Sequence, residues 1–214
     1  MKTLVIICLM VSVFTFSEAC SCIGGHPQRQ FCDADFVIRA RILGRTLTGG
    51  PTLQGVYYTV MIRQYYKREP RTGRRIQRIY TALHGTSCGV SFRIGREYII
   101  AGFIQNNRRW SAQLCSWNVE TTSLTPFQRK ALRNGFYRNN CFCEIFDCTW
   151  LTDLDTFRCP SSTRNRCVVR RNSHCFRKNN ACINNGRGCR WQTSSCTSFG
   201  ELVSRNALAG PSLQ

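Results

Sequence analysis

The amino-acid sequence predicts a mainly β protein, with a small antiparallel barrel followed by a compact module that disulfide bonds hold together. Five segments between residues 34 and 103 alternate apolar and polar residues with a period of two, which is typical of half-buried strands. Cysteines are concentrated later, because residues 141 to 196 contain nine of them and residues 33 to 87 contain none. The first part therefore has the pattern of a domain with its own apolar core, and the second that of a cross-linked module.

Turn-forming residues separate the five predicted strands. Glycine and proline occur between them at residues 48–51, at residues 69–73 and at Gly95. Five short antiparallel strands in so short a stretch indicate a small barrel. The predicted strands are residues 36–42, 56–62, 76–82, 90–94 and 98–103.

A helix is predicted directly after the barrel. Thr125 can cap its N-terminus, Pro126 suits the first helical position, and Gln128 stands three residues after the cap. We expect this helix to end at Gly135 or Asn139. Beyond residue 141 the periodicity is weak, so loops and short strands around disulfide bonds are expected there.

The first nineteen residues have the pattern of a secretory signal peptide. Lys2 precedes an apolar run, and small residues end the segment at Ala19. The run is short for a transmembrane anchor and no stop-transfer charge cluster follows it. We therefore expect cleavage after Ala19, a secreted protein of the extracellular space or matrix, and Cys20 as the first mature residue. Cys8 leaves with the signal, so 14 of the 15 cysteines remain, an even number typical of a disulfide framework.

The predicted organisation has three parts, with the domain boundary close to residue 141. They are the signal peptide at residues 1–19, an N-terminal domain at residues 20–141 and a disulfide-rich module at residues 142–214. The net charge of +19 favours anionic partners such as sulfated glycosaminoglycans. The signal peptide argues against nucleic acid as the partner, and we expect a monomer without a membrane span.

The sequence offers little of what an enzyme needs. The cysteines are explained by disulfide bonds, and the close carboxylate pairs are more typical of helix or turn caps than of acid–base catalysis. Cys141, Cys143 and Cys148 have a spacing that can bind zinc in a cytosolic protein, but oxidising conditions disfavour this. We therefore expect no catalytic activity and no cofactor. The three histidines, at positions 26, 84 and 174, are far apart in the sequence.

The mature N-terminus does offer chemistry. The α-amine and the carbonyl oxygen of Cys20 can close a five-membered chelate ring on a metal ion, and an α-amine with a pKa of about 7.7 to 8.0 is partly neutral at physiological pH. Disulfide bonds at Cys20 and Cys22 would hold these two groups rigid and reduce the entropy lost on binding. The residues alone leave open the alternative that both cysteines are ordinary cross-links and that the terminus is incidental.

The chain resembles the tissue inhibitors of metalloproteinases. Their mature proteins begin with C-x-C-x-P-x-H-P-Q-x-A-F-C, and residues 20–32 here read CSCIGGHPQRQFC. Further blocks follow in the family's order, and the resemblance covers essentially the whole mature chain. These blocks are Asp35–Ala40, Ile79–Ala82, Cys88–Ser91 and Glu97–Gly102.

The resemblance implies a fold and a set of disulfide bonds. The fold is an oligonucleotide/oligosaccharide-binding (OB-fold)-like five-stranded barrel, or netrin-type domain, with flanking helices, followed by a small disulfide-rich C-terminal β module. The family usually has twelve cysteines, so Cys175 and Cys196 are extra and are expected to pair with each other. The implied pairs are Cys20–Cys88, Cys22–Cys115, Cys32–Cys141, Cys143–Cys189, Cys148–Cys159 and Cys167–Cys182.

The resemblance also implies inhibition of zinc endopeptidases of the matrix metalloproteinase type. In the family the amine and carbonyl of the first cysteine, here Cys20, displace the water on the enzyme's catalytic zinc. The second residue, here Ser21, points into the S1′ pocket. His26 is expected to make a local hydrogen bond rather than to bind metal. The residues implied to contact the protease are Cys20, Ser21, Cys22, Ile23, Thr86, Ser87, Cys88, Gly89 and Val90.

Several positions depart from the family pattern. Ser21 stands where threonine is common, Gly24 replaces proline and Gln30 replaces alanine. The hairpin at residues 46–55 is short, and the tail at residues 204–214 has no acidic residue, so contacts that depend on a long hairpin or an acidic tail do not transfer. Two competing hypotheses are a non-inhibitory netrin-type module that binds matrix or heparin, and a basic defence or matrix protein that acts through charge. A mature chain that starts at Cys20 favours the inhibitor.

Overall fold

The fold was analysed in a computed structural model. It describes residues 20, 22, 25–49, 55–68, 75–83, 88–106, 108–150, 159–170, 173–194 and 196. The predicted signal peptide lies outside the described residues, as do Ser21, Ile23, Thr86 and Ser87. The predicted domain boundaries are not tested and stay a prediction.

Strands dominate the described part of the chain. The helices are α1 (Pro27–Asp33), α2 (Pro126–Arg133) and α3 (Ser173–Asn179), with 3₁₀ turns at Thr121–Ser123, Arg138–Asn140 and Cys148–Trp150. No helix among the described residues is long and apolar enough to cross a membrane. The strands are β1 (Phe36–Thr48), β2 (Gly55–Lys67), β3 (Ile76–Ala82), β4 (Glu97–Gln105), β5 (Arg109–Ser111), β6 (Asn118–Glu120), β7 (Glu144–Asp147), β8 (Arg166–Val169), β9 (Cys182–Asn184) and β10 (Cys189–Trp191).

Five strands close into a ring. The sheet runs β1-β2-β3-β5-β4, and β4 pairs again with β1, so that Ile38 of β1 lies opposite Ile100 of β4. The ring is antiparallel except between β3 and β5, and β6 extends it beside β4. The mainly β, OB-like barrel expected from the sequence is confirmed.

One of the five predicted strands is wrong. Residues 90–94 pair with none of the strands in the described part of the chain, and the fifth strand of the ring is β5. Val90 and Phe92 are buried, so the alternation of apolar and polar residues correctly predicted which side chains point inward. The backbone amides of this segment, however, bond to side chains: Val90 N–H donates to Oγ1 of Thr81 at 2.9 Å, and Arg93 N–H to the hydroxyl of Tyr98 at 3.1 Å.

Two apolar clusters hold this part of the protein together. One fills the barrel and includes the stacked rings of Phe36 and Trp110, whose centroids are 4.3 Å apart. The other lies outside the ring, where β4 residues such as Ile99 pack against Phe31 of α1 and Leu132 of α2. The outer cluster therefore fixes both helices on the barrel surface.

The predicted helix is confirmed, whereas the local sequence patterns predict neither α1 nor α3. Oγ1 of Thr125 accepts from Gln128 N–H at 3.1 Å, and Oε1 of Gln128 accepts from Thr125 N–H at 3.0 Å, which is a complete capping box at the start of α2. The helix ends at Arg133, shortly before Gly135, whose φ of 69° suits a helix terminus. The unforeseen α1 has histidine, an unusual residue, at its N-cap.

The remaining elements form the cross-linked module. β7 pairs with β8 in parallel, and β9 pairs with β10 in an antiparallel hairpin. Phe176 of α3 packs on Trp191 of β10, with ring centroids 4.6 Å apart. Short strands around disulfide bonds are what the weak periodicity of this region predicted.

Candidate functional site

Seven disulfide bonds cross-link the described residues: the six pairs that the family resemblance implied, and the expected seventh pair between the two extra cysteines. Three of them join the N-terminal segment to distant parts of the barrel domain, across sequence separations of 68, 93 and 109 residues. These three are Cys20–Cys88, Cys22–Cys115 and Cys32–Cys141. The other four are Cys143–Cys189, Cys148–Cys159, Cys167–Cys182 and Cys175–Cys196.

The first two bonds lie side by side and define one edge of the barrel, called here the cysteine edge: Cys20, Cys22, Cys88 and Cys115. Sγ of Cys20 is 3.8 Å from Sγ of Cys115, although these two residues are not bonded to each other. Cys20 and Cys22 are therefore both fixed to the barrel, each by its own bond, within a very small volume.

The backbone of Cys88 itself is strained at this edge. Its φ of 55° is in the left-handed region, which costs an L-residue about 1 to 2 kcal/mol. Such a conformation persists where the surroundings determine it. Here the conformation of Cys88 is fixed by its disulfide bond to Cys20 and by a hydrogen bond from Leu114 N–H to its carbonyl, at 2.8 Å.

Gly89 brings the edge against the end of β3. A Cβ atom at this position would collide with the backbone carbonyl of Ala82, so only glycine allows the approach. The next residue, Val90, is buried and bonds to Thr81 of β3. Gly89 and Val90 thus set the position from which Cys88 reaches Cys20.

A rigid loop at residues 112–117 forms the other side of the cysteine edge. Besides the bond from Leu114, Ala112 N–H donates to the Tyr80 carbonyl at 2.9 Å, and Nδ2 of Asn118 donates to the Gln113 carbonyl at 2.7 Å. Leu114 is nonetheless 46% exposed, which makes it an apolar side chain held in water beside two disulfide bonds. Sequence reasoning missed it, and its only signal was its place directly before Cys115.

Helix α1 connects the N-terminal segment to the second module. Gln28 is fully buried, and its side chain donates to the Cys182 carbonyl at 2.7 Å and to the Asn140 carbonyl at 3.1 Å, while it accepts from Cys182 N–H at 2.8 Å. A buried amide with all these partners satisfied fixes orientation strongly. The helix therefore has one defined position against β9.

His26 makes a local hydrogen bond, as predicted, and also a distant one. Its Nδ1 accepts from Gln28 N–H at 3.1 Å, which caps α1, and its Nε2 donates to the carbonyl of Phe176 at 3.0 Å. The side chain is only 1% exposed, and this burial lowers its pKa from 6.5 to about 4. His26 is thus a neutral structural residue with both ring nitrogens occupied.

The end of α3 is capped by side chains from the barrel domain. The last carbonyls of a helix lack partners within it. Here the Phe176 carbonyl accepts from His26, the Arg177 carbonyl accepts from Nε2 of Gln128 at 3.0 Å, and the Lys178 carbonyl accepts from Oγ1 of Thr125 at 2.6 Å. The barrel and the second module are thereby joined through directional bonds.

The cysteine sulfurs are not available as metal ligands. Among the described residues, two groups of three cysteines have all sulfurs within 4.8 Å of one another, but every member is in a disulfide bond. A thiolate is the species that binds zinc. Backbone atoms at this edge can still bind a metal, such as the carbonyl oxygen of Cys20 and the α-amine that cleavage after Ala19 would free. One group of cysteines consists of Cys20, Cys88 and Cys115, and the other of Cys143, Cys182 and Cys189.

The structure brings together five of the nine residues that the resemblance implied as the protease contact. The other four lie outside the described residues. The five are Cys20, Cys22, Cys88, Gly89 and Val90.

The family model described as "Tissue inhibitor of metalloproteinase" matches residues 18–197. The chain belongs to this family. Among similar proteins, "Metalloproteinase inhibitor 3" of Gallus gallus is 33% identical over 153 residues, which are 71% of this chain and 68% of the relative.

Two further relatives extend the comparison. "Metalloproteinase inhibitor 2" of Homo sapiens is 34% identical over 149 residues, 65% of this chain and 66% of the relative. "Metalloproteinase inhibitor 3" of Xenopus laevis is 30% identical over 200 residues, 88% of this chain and 89% of the relative. Similarity to tissue inhibitors of metalloproteinases therefore extends through both parts of the chain.

Proposed function

We propose that this protein is a secreted inhibitor of zinc metalloendopeptidases of the matrix metalloproteinase type. Its membership of the tissue inhibitor of metalloproteinase family supports the activity, and the cysteine edge supports the mechanism. The observation that carries the proposal is the fixation of Cys20, whose disulfide bond to Cys88 lies beside that of Cys22 to Cys115. Seven disulfide bonds also favour an oxidising compartment and hence secretion.

The proposed reactive group is the backbone of Cys20. Cleavage after Ala19 frees its α-amine, whose ordinary pKa of about 7.7 to 8.0 leaves a neutral fraction at pH 7. Catalytic zinc sites keep one position open for water, and the amine and carbonyl of Cys20 take the place of that water as a bidentate pair. Because two disulfide bonds already order the segment, little conformational freedom is lost on binding.

The neighbouring residues complete a wedge for the active-site cleft. Ser21 enters the S1′ pocket, and Cys88, Gly89 and Val90 contribute from the other side of the Cys20–Cys88 bond, with Thr86 and Ser87 as further protease contacts. The inhibitor resists cleavage because its chain starts at the zinc, so this segment offers no residues on the unprimed side of the cleft. The role of Thr86 and Ser87 is part of this proposal.

The test is a single added residue. One secreted form begins at Cys20, a second carries an extra alanine before it, and a matched control carries the same alanine after Gln214. The first and third forms are expected to inhibit a matrix metalloproteinase catalytic domain, and the second to lose inhibition. Equal inhibition by all three would contradict zinc binding by the amine, and no inhibition by any form would contradict the proposed activity.

A second property, retention on sulfated glycosaminoglycans, is supported by one surface feature. Arg78 stacks on Tyr57 at 5.0 Å, Tyr57 lies 5.5 Å from Tyr80, and Arg109 stacks on Tyr80 at 4.3 Å. Within the described part of the chain, neither arginine is ion-paired with an acidic residue. This row on the outer face of β2, β3 and β5 therefore combines positive charge with flat apolar rings.

Elution from immobilised heparin by salt tests this retention. A variant with Arg78→Gln and Arg109→Gln is compared with a control in which Arg187 and Arg190, both exposed on the second module, are changed in the same way. The first variant is expected to elute at clearly lower salt than the control. Equal shifts would assign retention to diffuse charge, and release of the unaltered protein at low salt would exclude it.

A further inference from the structure

Gln30 departs from the family pattern, which has alanine at this place, and it makes a contact that alanine cannot make. Nε2 of Gln30, on α1, donates to the backbone carbonyl of Cys115 at 2.9 Å, across a sequence separation of 85 residues. A methyl group added at Gly25 would lie 3.5 Å from Cγ of Gln30, so the side chain runs alongside Gly25. Gln30 thus lies between the N-terminal segment and the 112–117 loop.

The far end of this contact belongs to the cysteine edge. Cys115 is bonded to Cys22, and its Sγ is 3.8 Å from that of Cys20. A hydrogen bond to the Cys115 carbonyl therefore restricts the backbone that holds Cys22 and lies against Cys20. The adjacent Leu114 bonds to Cys88, so the restriction extends to the second disulfide bond of the edge.

Helix α1, which carries Gln30, is also firmly fixed. Helix α1 is fixed at Gln28 by three hydrogen bonds to Cys182 and Asn140, and at Cys32 by the disulfide bond to Cys141. A side chain on such a helix can act as a brace, because its base does not move with the segment that it supports.

The sequence shows why this segment needs a brace. Gly24 and Gly25 stand together between Cys22 and His26, and the family has proline at the first of these two positions. Glycine loses more conformational freedom on ordering than any other residue, whereas proline is already restricted. Ordering the glycine pair therefore costs this chain more conformational entropy than the family pattern would cost.

We propose that Gln30 is a positioning residue for inhibition: through its bond to Cys115, made alongside Gly25, it holds the N-terminal segment in the geometry that presents the amine and carbonyl of Cys20. This inference rests on the proposed function. Gln30 itself touches neither the zinc nor the protease; it replaces, by a side-chain brace, the rigidity that the glycine pair removes.

Three substitutions at this position separate the hydrogen bond from the shape of the side chain. Gln30→Met places a methyl group where Nε2 stands, Gln30→Glu places a carboxylate oxygen there, and Gln30→Arg places another N–H donor there. The matched control is Gln77→Met, because Gln77 is a half-buried glutamine of β3 whose amide, within the described part of the chain, reaches only the carbonyl of the next residue, at 3.5 Å.

The first readout is the inhibition constant for a matrix metalloproteinase catalytic domain. Gln30→Met is expected to raise it about three- to tenfold, the effect of one neutral hydrogen bond, and Gln30→Glu to raise it further. Gln30→Arg restores inhibition to near the original value, and Gln77→Met leaves it unchanged. Equal inhibition by Gln30→Met and the unaltered protein would overturn the proposal.

The second readout does not depend on any protease. Backbone ¹⁵N relaxation reports picosecond-to-nanosecond order at Cys22, Gly25 and Cys115 in the free protein. Order at these three residues is expected to fall in Gln30→Met and to recover in Gln30→Arg, with Ile100 in the barrel as an unaffected reference. Unchanged order in Gln30→Met would refute the brace, even if the unaltered protein inhibited no protease and the proposed function failed.

Discussion

Acidification should destabilise this protein through His26, the buried cap of α1. In the folded state the neutral ring accepts from Gln28 N–H at Nδ1 and donates to the Phe176 carbonyl from Nε2. A proton added to Nδ1 would face the N–H group of Gln28 and would place a charge among the rings of Tyr137 and Trp191. Protonation is therefore much easier in the unfolded chain.

The size of the effect follows from the two pKa values. Burial lowers the pKa of His26 from 6.5 to about 4; the backbone hydrogen bonds to Phe176 and Asn180 and the charge of Asp147 oppose this shift more weakly, and Arg177 adds to it. Between these values the unfolded state binds more protons, so the free energy of unfolding falls as the pH falls. The contribution is fully present above about pH 6.5 and amounts to about 3 kcal/mol, most of which is lost by about pH 4.

Chemical denaturation between pH 7 and pH 4, with all disulfide bonds intact, measures this loss. The comparison variant is His26→Asn, which keeps an N-cap acceptor for α1 but has no group that titrates in this range. The variant should be less stable at pH 7, and the difference should shrink by about 3 kcal/mol on going to pH 4. Parallel stability curves for the two proteins would refute the role assigned to His26.

Three further substitutions test separate parts of the site. Leu114→Ala should raise the inhibition constant about fivefold without changing the melting temperature, because the exposed leucine is expected to bury apolar area against the protease; an unchanged constant would remove this residue from the interface. Lys67→Met should lower the free energy of unfolding by about 1 kcal/mol in urea titrations, since its Nζ donates to two carbonyls at the end of α1, at 3.2 and 2.6 Å. Gly89→Ala should weaken inhibition more than Gly44→Ala, where an added Cβ meets nothing within 4 Å; similar constants for both variants would contradict the close approach to β3.

Local patterns predicted the elements whose signals are local. Strands β1 to β3 are recognisable because one face of each is buried in the barrel, β4 because its apolar run is buried on both faces, and α2 because its cap and first turn carry the complete capping box. β5 has only three residues, too few to show a period, so the pattern predicts residues 90–94 as the fifth strand instead. Helix α1 escaped prediction because its cap, His26, is held by Phe176, a residue 150 positions away.

The site could be predicted only in part. Spacing does not determine how fourteen cysteines pair, and the resemblance to a known family was needed to assign partners. The residues that complete the edge depend on contacts between distant segments: Leu114 is placed by Cys88, and Gln30 reaches Cys115 from another element. No periodicity or motif encodes such contacts, because each depends on where the loops meet in the folded chain.

The most direct test of the central claim is a crystal structure of the mature protein bound to a matrix metalloproteinase catalytic domain. The α-amine nitrogen and the carbonyl oxygen of Cys20 are expected to coordinate the catalytic zinc, each at about 2.0 to 2.2 Å. The water of the free enzyme should be absent from the metal. A complex in which the zinc keeps its water and Cys20 lies beyond coordinating distance would contradict the proposed mechanism.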